Sequence, residues 1–473
     1  MGVKGLWTIL APTAQKKALW ELKDQTVAID LSGWICENQL IDNFNANLYL
    51  RNLFFRTSYM LLVGIKPIFI LEGKAPTLKH STIERRRILS GSSTVSDENS
   101  KKNRGNRSRL NSMQKQCEDL LKSIGVSCYY SEGEAEALCA LLNKENIVDA
   151  VISQDSDCFL YGAKTVYRNF TIGSCGGSVE VYTLSSIEKK LSLGRNKLIA
   201  LSLLCGCDYN DSGILGIGKE SALKYLSMCT DSEVLTRLSS WRSSYSSVVQ
   251  SNSNVTSLSK LEWNLVRKAL QNPEFPFLEV QKEFLENQST IKGDVIFEWK
   301  QPNIKHFVML TERLLGWNTN YSLEKCVPLL SRWHLLYDNS SKENIAGSIQ
   351  LERVVKKRTL RNVPSYEVKW KDFETTTIEP YCIFRVKYEN AVQDYESTKK
   401  KTNKSKKTKK KEPENFMFEC DQQVEIDDVI NNLSHLDIQA TADDSLTVSD
   451  FECSARDLLE LSSIVESIAS GSR

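Results

Sequence analysis

Short apolar runs recur along the first part of the chain at Val27-Ala-Ile-Asp30-Leu31, Ile65–Leu71, Val126–Tyr130 and Asp149–Ser153. Each is too short for a buried helix and reads as a strand covered on both faces. Helical patterns lie between them, around 48–62, 113–124 and 134–143. Strands alternating with helices predict an α/β fold with a mostly parallel, covered sheet. Residues 198–340 read as mostly helical. Two β-type runs, Ser365–Trp370 and Tyr381–Tyr388, predict a small separate β module over 345–396.

Two stretches break the pattern. Residues 89–112 hold only three large apolar side chains, Leu89, Val95 and Leu110, among Ser, Lys and Arg, so 91–112 is expected to be a flexible basic segment. From Lys399 to Lys411 nine of thirteen residues are Lys, and the chain beyond is acidic and expected to be mostly disordered. A length of 473 residues implies more than one domain, and 41% hydrophobic residues exclude a wholly disordered or collagenous chain. No run approaches the ~18 apolar residues of a membrane helix, and the first residues show no apolar signal core. The net charge of +2 hides an asymmetry, because residues 412–473 carry 15 acids and two bases and the preceding 411 carry 59 bases and 44 acids. A basic body with an acidic tail suits a polyanionic partner. The 13 cysteines show no repeated metal spacing and read as reduced thiols.

The chemistry gathers where strands are expected to end. Asp30 closes the first run, Glu72 follows the second, and Asp155 and Asp157 follow the fourth. The carboxyl edge of an open parallel sheet is where ligands bind. Glu134 and Glu136 begin a predicted helix near that edge, and Asp208 follows another. Carboxylates crowded together raise one another's pKa unless cations neutralise them, and hard divalent ions such as Mg²⁺ take oxygen ligands. Taken singly, each acid could be a turn residue or helix cap; together they point to a metal site.

These motifs resemble the flap endonuclease/XPG superfamily of structure-specific nucleases. Met1-Gly-Val, Ala28-Ile-Asp30, Leu71-Glu-Gly, Gly133-Glu-Ala-Glu-Ala, Asp155-Ser-Asp157 and Gly206-Cys-Asp-Tyr209 follow in family order over residues 1–330. Arg51–Arg56, Tyr161–Phe170 and the Glu at position 72 are most similar to the Gen-type Holliday-junction resolvases. The resemblance implies a PIN-like nuclease core, with an N-terminal region at 1–90 and an internal region at 113–210. It also implies a helix-two-turn-helix within 198–340 and a chromodomain-like module at 345–396. It implies two Mg²⁺ ions, replaceable by Mn²⁺, held by Asp30, Glu72, Glu134, Glu136, Asp155, Asp157 and Asp208, with Lys79 and Arg86 contacting the scissile phosphate. One departure is Gln154, where an acid is common in the superfamily.

Gly213-Ile-Leu-Gly216-Ile-Gly218-Lys219 fits the opening of a nucleotide P-loop, but Glu220 stands where Ser or Thr is needed and no strand precedes it. It reads better as the hairpin of a helix-two-turn-helix, where Gly216 and Gly218 supply positive φ or close phosphate approach. The resemblance adds a K⁺ there and DNA contacts by Gly2, Arg85, Arg87, Gly213, Gly216, Gly218 and Lys219. The expected protein is a nuclear, Mg²⁺-dependent endonuclease of DNA repair and recombination. It cuts 5′ flaps and resolves four-way junctions, as a monomer that pairs only on the junction. A monomeric 5′-flap endonuclease or 5′-exonuclease, without a sliding-clamp peptide, and a non-catalytic junction or chromatin binder are the alternatives. Metal-dependent cleavage discriminates enzyme from binder, and nick symmetry discriminates resolvase from flap nuclease.

Overall fold

The structure is a computed structural model and describes residues 2–39, 47–74, 76–79, 98–173, 176–251, 259–286, 295–338, 349–361 and 363–407. The chain divides into two compact units, residues 1–350 with 370–377, and residues 351–369 with 378 onward.

The first unit is built on a seven-stranded sheet. Its strands are β1 (Gln15–Ala18), β2 (Thr26–Asp30), β3 (Lys66–Leu71), β4 (Cys128–Tyr130), β5 (Ala150–Ile152), β6 (Thr165–Thr171) and β7 (Ser178–Thr183). The order is β1-β7-β6-β5-β2-β3-β4. The strands β4, β3, β2, β5 and β6 run parallel, and β7 and β1 extend the sheet antiparallel. The four predicted strands are the parallel centre; β1, β6 and β7 were not anticipated.

Alternation across the sheet makes two cores. Ala28, Ile68, Ile70, Val151 and Val166 face one layer, with the helices Ala135–Lys144 and Arg195–Cys205. Val27, Ile29, Phe69, Leu71 and Ile152 face the other, with the helices Leu48–Val63 and Glu98–Ser123. Neighbouring residues of one strand therefore enter opposite cores, as the period of two requires. The order reverses between β2 and β5, which makes a switch point at their carboxyl ends.

Residues 98–112, expected to be flexible, are helical in backbone and continue the predicted 113–124 helix N-terminally. Helix propagation from a packed end explains this, because Met113, Cys117, Leu120 and Leu121 are buried. Among the described residues beyond 198, helices run over Lys219–Leu226, Val234–Ser251, Lys260–Ala269, Leu278–Leu285, Ile304–Leu315 and Thr319–Tyr337.

A separate three-stranded sheet is formed by β8 (Leu351–Leu360), β9 (Val363–Trp370) and β10 (Thr376–Pro380), in the order β10-β9-β8. The run Tyr381–Tyr388, expected as a strand, is instead a helix over Tyr381–Lys387. Tyr381, Phe384 and Tyr388 stand at helical spacing, and Tyr366 packs on Tyr381 and Phe384. The helix Glu389–Lys407 then takes in the first part of the Lys-rich run; the acidic tail lies outside the described residues.

Candidate active site

The predicted acids meet at the switch point. Asp30 is the last residue of β2, Glu72 follows β3, and Asp155 and Asp157 follow β5. Glu134 precedes the helix Ala135–Lys144, with Glu136 in its first turn. Asp208 follows the helix Arg195–Cys205. Glu134, Glu136, Asp155, Asp157 and Asp208 are buried, and Asp30 and Glu72 are half-buried. The sheet makes the site in sequence-distant pieces: parallel strands deliver their carboxyl ends to one edge.

Backbone amides hold these acids in place. Ser32 N–H donates to Asp30 Oδ1 at 2.9 Å and Asp157 N–H to Asp155 Oδ1 at 3.0 Å. The amino-terminal segment covers the cluster, with Val3 N–H donating to Asp157 Oδ1 at 3.0 Å and to Ser156 Oγ at 3.1 Å. Gly2 N–H lies 3.3 Å from Asp208 Oδ1. Gly2 has φ +81°, and a Cβ there would stand 2.3 Å from Asp155 Oδ1, so only glycine fits. Trp7 Nε1–H donates to the Gln154 carbonyl at 2.8 Å, which tethers the loop before Asp155.

Lys79 supplies the cation. Its Nζ lies 2.5 Å from Glu134 Oε1 and 3.7 Å from Asp208 Oδ2. Glu136 and Glu134 push the Lys79 pKa up despite burial, so it stays an ammonium. Arg85, Arg86 and Arg87 lie outside the described residues.

One ammonium does not balance seven acids. Burial, with the Asp155 charge adding to it, pushes Asp30 up to about 6, although amides of Ser32 and Gly33 oppose the shift. Burial and the Asp30 and Glu134 charges push Glu72 up to about 8. Burial and neighbouring acids also raise Asp155, Asp157 and Glu136. These acids hold protons more tightly folded than unfolded. Their stabilising effect is full below about pH 4 and is lost as pH rises through about 6 for Asp30 and about 8 for Glu72. In chelator-treated protein the Tm is expected to fall by several degrees between pH 5 and pH 8, and less in Asp30→Asn. A Tm rising over that interval in scanning calorimetry would contradict the electrostatic reading.

Among the described residues no three of Asp, Glu, His or Cys are spaced to enclose an ion as the side chains stand. The donor chemistry nevertheless suits hard divalent cations. Every donor is a carboxylate oxygen, the acids repel one another, and Asp157 Oδ2 is buried without a hydrogen-bond partner.

Two side chains escaped the sequence reading. Tyr209 OH donates to Glu134 Oε2 at 2.9 Å, and Tyr161 OH lies against the Tyr209 hydroxyl. Both tyrosines belong to the motifs Gly206-Cys-Asp-Tyr209 and Tyr161–Phe170, but a buried tyrosine beside apolar residues reads as core.

The glycine hairpin adjoins the acids. The helices Arg195–Cys205 and Lys219–Leu226 flank it, so a helix precedes it where a P-loop needs a strand. Gly213 has φ +56° and Gly216 φ +78°, but Gly218 has φ −98° and open space around it, so its backbone needs no glycine. Lys219 is exposed at the second helix's start, and Lys268 Nζ donates to the Gly216 carbonyl at 2.6 Å. No sequence signal pointed to Lys268.

An α/β sheet with clustered acids at its switch point and a glycine hairpin beside them defines a nuclease-type core. The XPG N-terminal domain matches residues 1–92 and the XPG I-region residues 125–208. Flap endonuclease GEN of Drosophila melanogaster is 39% identical over 428 residues, 79% of this chain and 58% of that protein. Flap endonuclease GEN homolog 1 of Homo sapiens is 31% identical over 510 residues, 94% of this chain and 55% of that protein. The crystal structure of human GEN1 in complex with Holliday junction DNA superposes with a TM-score of 0.70 at 32% identity, covering 86% of this chain and 100% of that one. The chain belongs to the XPG family of structure-specific nucleases, beside members named flap endonuclease GEN. It spans about 58% and 55% of the length of these two curated relatives.

Proposed function

We propose that the protein is a Mg²⁺-dependent endonuclease of DNA repair and recombination that cuts branched DNA. It resolves four-way junctions by paired symmetric nicks and also cleaves 5′ flaps. The observation that carries this reading is the set of seven acids at the switch point, with Lys79 paired to Glu134 and Asp208, beside a glycine hairpin. A pure binder has no use for such charge next to a phosphate backbone, and the human GEN1 structure contains Holliday junction DNA.

Asp30, Glu72, Glu134, Glu136, Asp155, Asp157 and Asp208 hold two divalent ions, Mg²⁺ or Mn²⁺. Bound there, the ions supply an activated water and stabilise the leaving 3′ oxygen. Val3 N–H and Asp157 N–H hold Asp157 Oδ1 and Asp155 Oδ1, so the remaining acids close around the ions on loading. Lys79 exchanges Glu134 for the scissile phosphate, with Arg86 beside it, and clamps the developing charge. The hairpin of Gly213, Gly216, Gly218 and Lys219 holds duplex backbone without reading sequence, with Gly2, Arg85 and Arg87 as further contacts. A K⁺ joins the hairpin, where the Gly216 carbonyl already accepts an ammonium. The Lys-rich run at 399–411 serves nuclear import and contact with DNA arms. Cleavage of a labelled junction in Mg²⁺ and none in EDTA is expected; metal-independent cleavage, or binding alone, would overturn the proposal.

A four-way junction needs two cuts in strands related by a twofold axis, and the described residues carry one cluster. The protein is monomeric in solution and pairs on the junction, while a flap takes one copy. Mass photometry is expected to show two copies per junction and one per flap. A one-to-one junction complex that makes paired nicks would defeat the pairing, and a tight dimer without DNA would defeat assembly on the substrate.

A further inference from the structure

A buried chain of hydroxyls ends on one oxygen of Glu134. Tyr209 OH donates its single proton to Glu134 Oε2 at 2.9 Å. Tyr161 OH contacts the Tyr209 hydroxyl, and since the Tyr209 proton is committed to Glu134, Tyr161 must be the donor. The other carboxylate oxygen, Oε1, faces Lys79 Nζ at 2.5 Å. Glu134 itself is 2% exposed, so each oxygen is held by protein, one by a neutral hydroxyl and one by a charge.

The two rings are held from outside the cluster. Phe284, buried in the helix Leu278–Leu285, packs edge-on against Tyr161 and Tyr209 with centroids 5.2 and 5.3 Å away. Arg195 fastens that helix to the one carrying Tyr161. Its Nη2 donates to the Phe284 carbonyl at 2.6 Å and its Nε to the Leu160 carbonyl at 2.8 Å. Tyr209 follows Asp208 on the loop leading into the glycine hairpin, where Cys207 and Asn210 pair and Gly213 N–H donates to the Asn210 carbonyl. A phenol ordinarily loses its proton only near pH ~10, so both hydroxyls are protonated donors at neutral pH.

We infer that Tyr209, seconded by Tyr161, is a positioning residue that fixes Glu134 Oε2 and presents Oε1 to a divalent ion when Lys79 leaves it for phosphate. The asymmetry makes this possible. A lysine bond can be exchanged for a phosphate, whereas the Tyr209 hydroxyl, buried behind Phe284 and accepting from Tyr161, keeps its proton on Glu134. The hydroxyl chain links the loop that enters the hairpin to one specific oxygen of the acid cluster. It also keeps Glu134 from collapsing fully onto Lys79 before an ion arrives.

The inference rests on Glu134 holding an ion, and the experiment separates the two. Mn²⁺ binding to the full chain is read by the free-ion EPR signal, beside kcat and KM on a junction. Tyr209→Phe keeps the ring against Phe284 and deletes only the donor. It is expected to weaken Mn²⁺ binding about fivefold or more and to lower kcat about tenfold with KM unchanged, whereas a purely structural role would change the Tm and leave Mn²⁺ affinity alone. Tyr161→Phe, which leaves the Tyr209–Glu134 bond in place, is expected to shift both quantities in the same direction but less, and it serves as the test if Tyr209→Phe does not fold. Mn²⁺ affinity and kcat within twofold of wild type in the folded variants would overturn the inference. Glu134→Gln that leaves Mn²⁺ binding unchanged would instead overturn the ligand role of Glu134, and the inference with it.

Discussion

Asp157→Asn removes junction cleavage by on the order of a thousandfold while junction binding in chelator stays equal or tightens. Asp157 is fully buried, and its Oδ1 accepts the Val3 N–H at 3.0 Å while its Oδ2 has no hydrogen-bond partner. Asparagine matches the shape, its carbonyl oxygen can keep the Val3 bond, and its amide then takes the Oδ2 position among carboxylates that accept hydrogen bonds. The fold therefore survives, and relief of repulsion with Asp155 and Asp208 favours a raised Tm without metal. The negative charge that a divalent ion requires is gone, as is one repulsion toward the phosphate backbone. Asp30→Asn at the end of β2 behaves alike, with a smaller stability gain because Ser32 and Gly33 amides already favour its charged form. Single-turnover cleavage of a labelled junction checks both. Rates within tenfold of wild type would remove that residue from the reacting site.

The acids were legible for the same reason the central strands were. Val27-Ala-Ile and Ala150-Val-Ile are apolar without interruption because parallel strands at the switch point are covered on both faces. An acid at the end of such a run stands out. The antiparallel extension was harder: β1 is Gln-Lys-Lys-Ala at the sheet edge and carries no apolar signal, although Val179 and Val181 in β7 alternate as a half-covered strand should. The helix Tyr381–Lys387 misled because its residue types favour strands while its apolar spacing is helical, with Pro380 at its start. The helical backbone at 98–112 continues a packed end, where Leu110 already meets the core. Within the site, the Gly2 and Val3 amides are backbone groups, and composition says nothing about where they point. The hydroxyl of Tyr209 was hidden differently, since a phenol buried for packing and one buried to hold a carboxylate have the same letter.

Alanine at two glycines of one hairpin should have opposite consequences. Gly213 is buried with φ +56°, and an added Cβ would stand 2.5 Å from the Cys205 carbonyl carbon and 2.6 Å from the Gly206 nitrogen. Backbone cannot yield as a side-chain tip can, so the segment from Gly206 to Gly213 must shift. That segment carries Asp208 and Tyr209 into the acid cluster, and the turn to Gly216 and Lys219 follows it. Gly213→Ala is therefore expected to weaken binding to a duplex arm about tenfold, equivalent to ~1.4 kcal/mol, and to depress cleavage further than binding. Gly218 has φ −98° and no atom within 4 Å of an added Cβ, and it precedes the helix Lys219–Leu226 without a side-chain cap. Gly218→Ala should leave the fold and the acids untouched, with arm binding within about twofold, since an alanine N-cap costs under ~1 kcal/mol against glycine. Fluorescence anisotropy on duplex and junction, with circular dichroism to confirm folding, reads both variants. Equal loss of affinity at the two positions with unchanged melting would mean that phosphate approaches the Gly218 backbone too closely for a methyl group, and steric exclusion of DNA would replace loop geometry as the reason for glycine there.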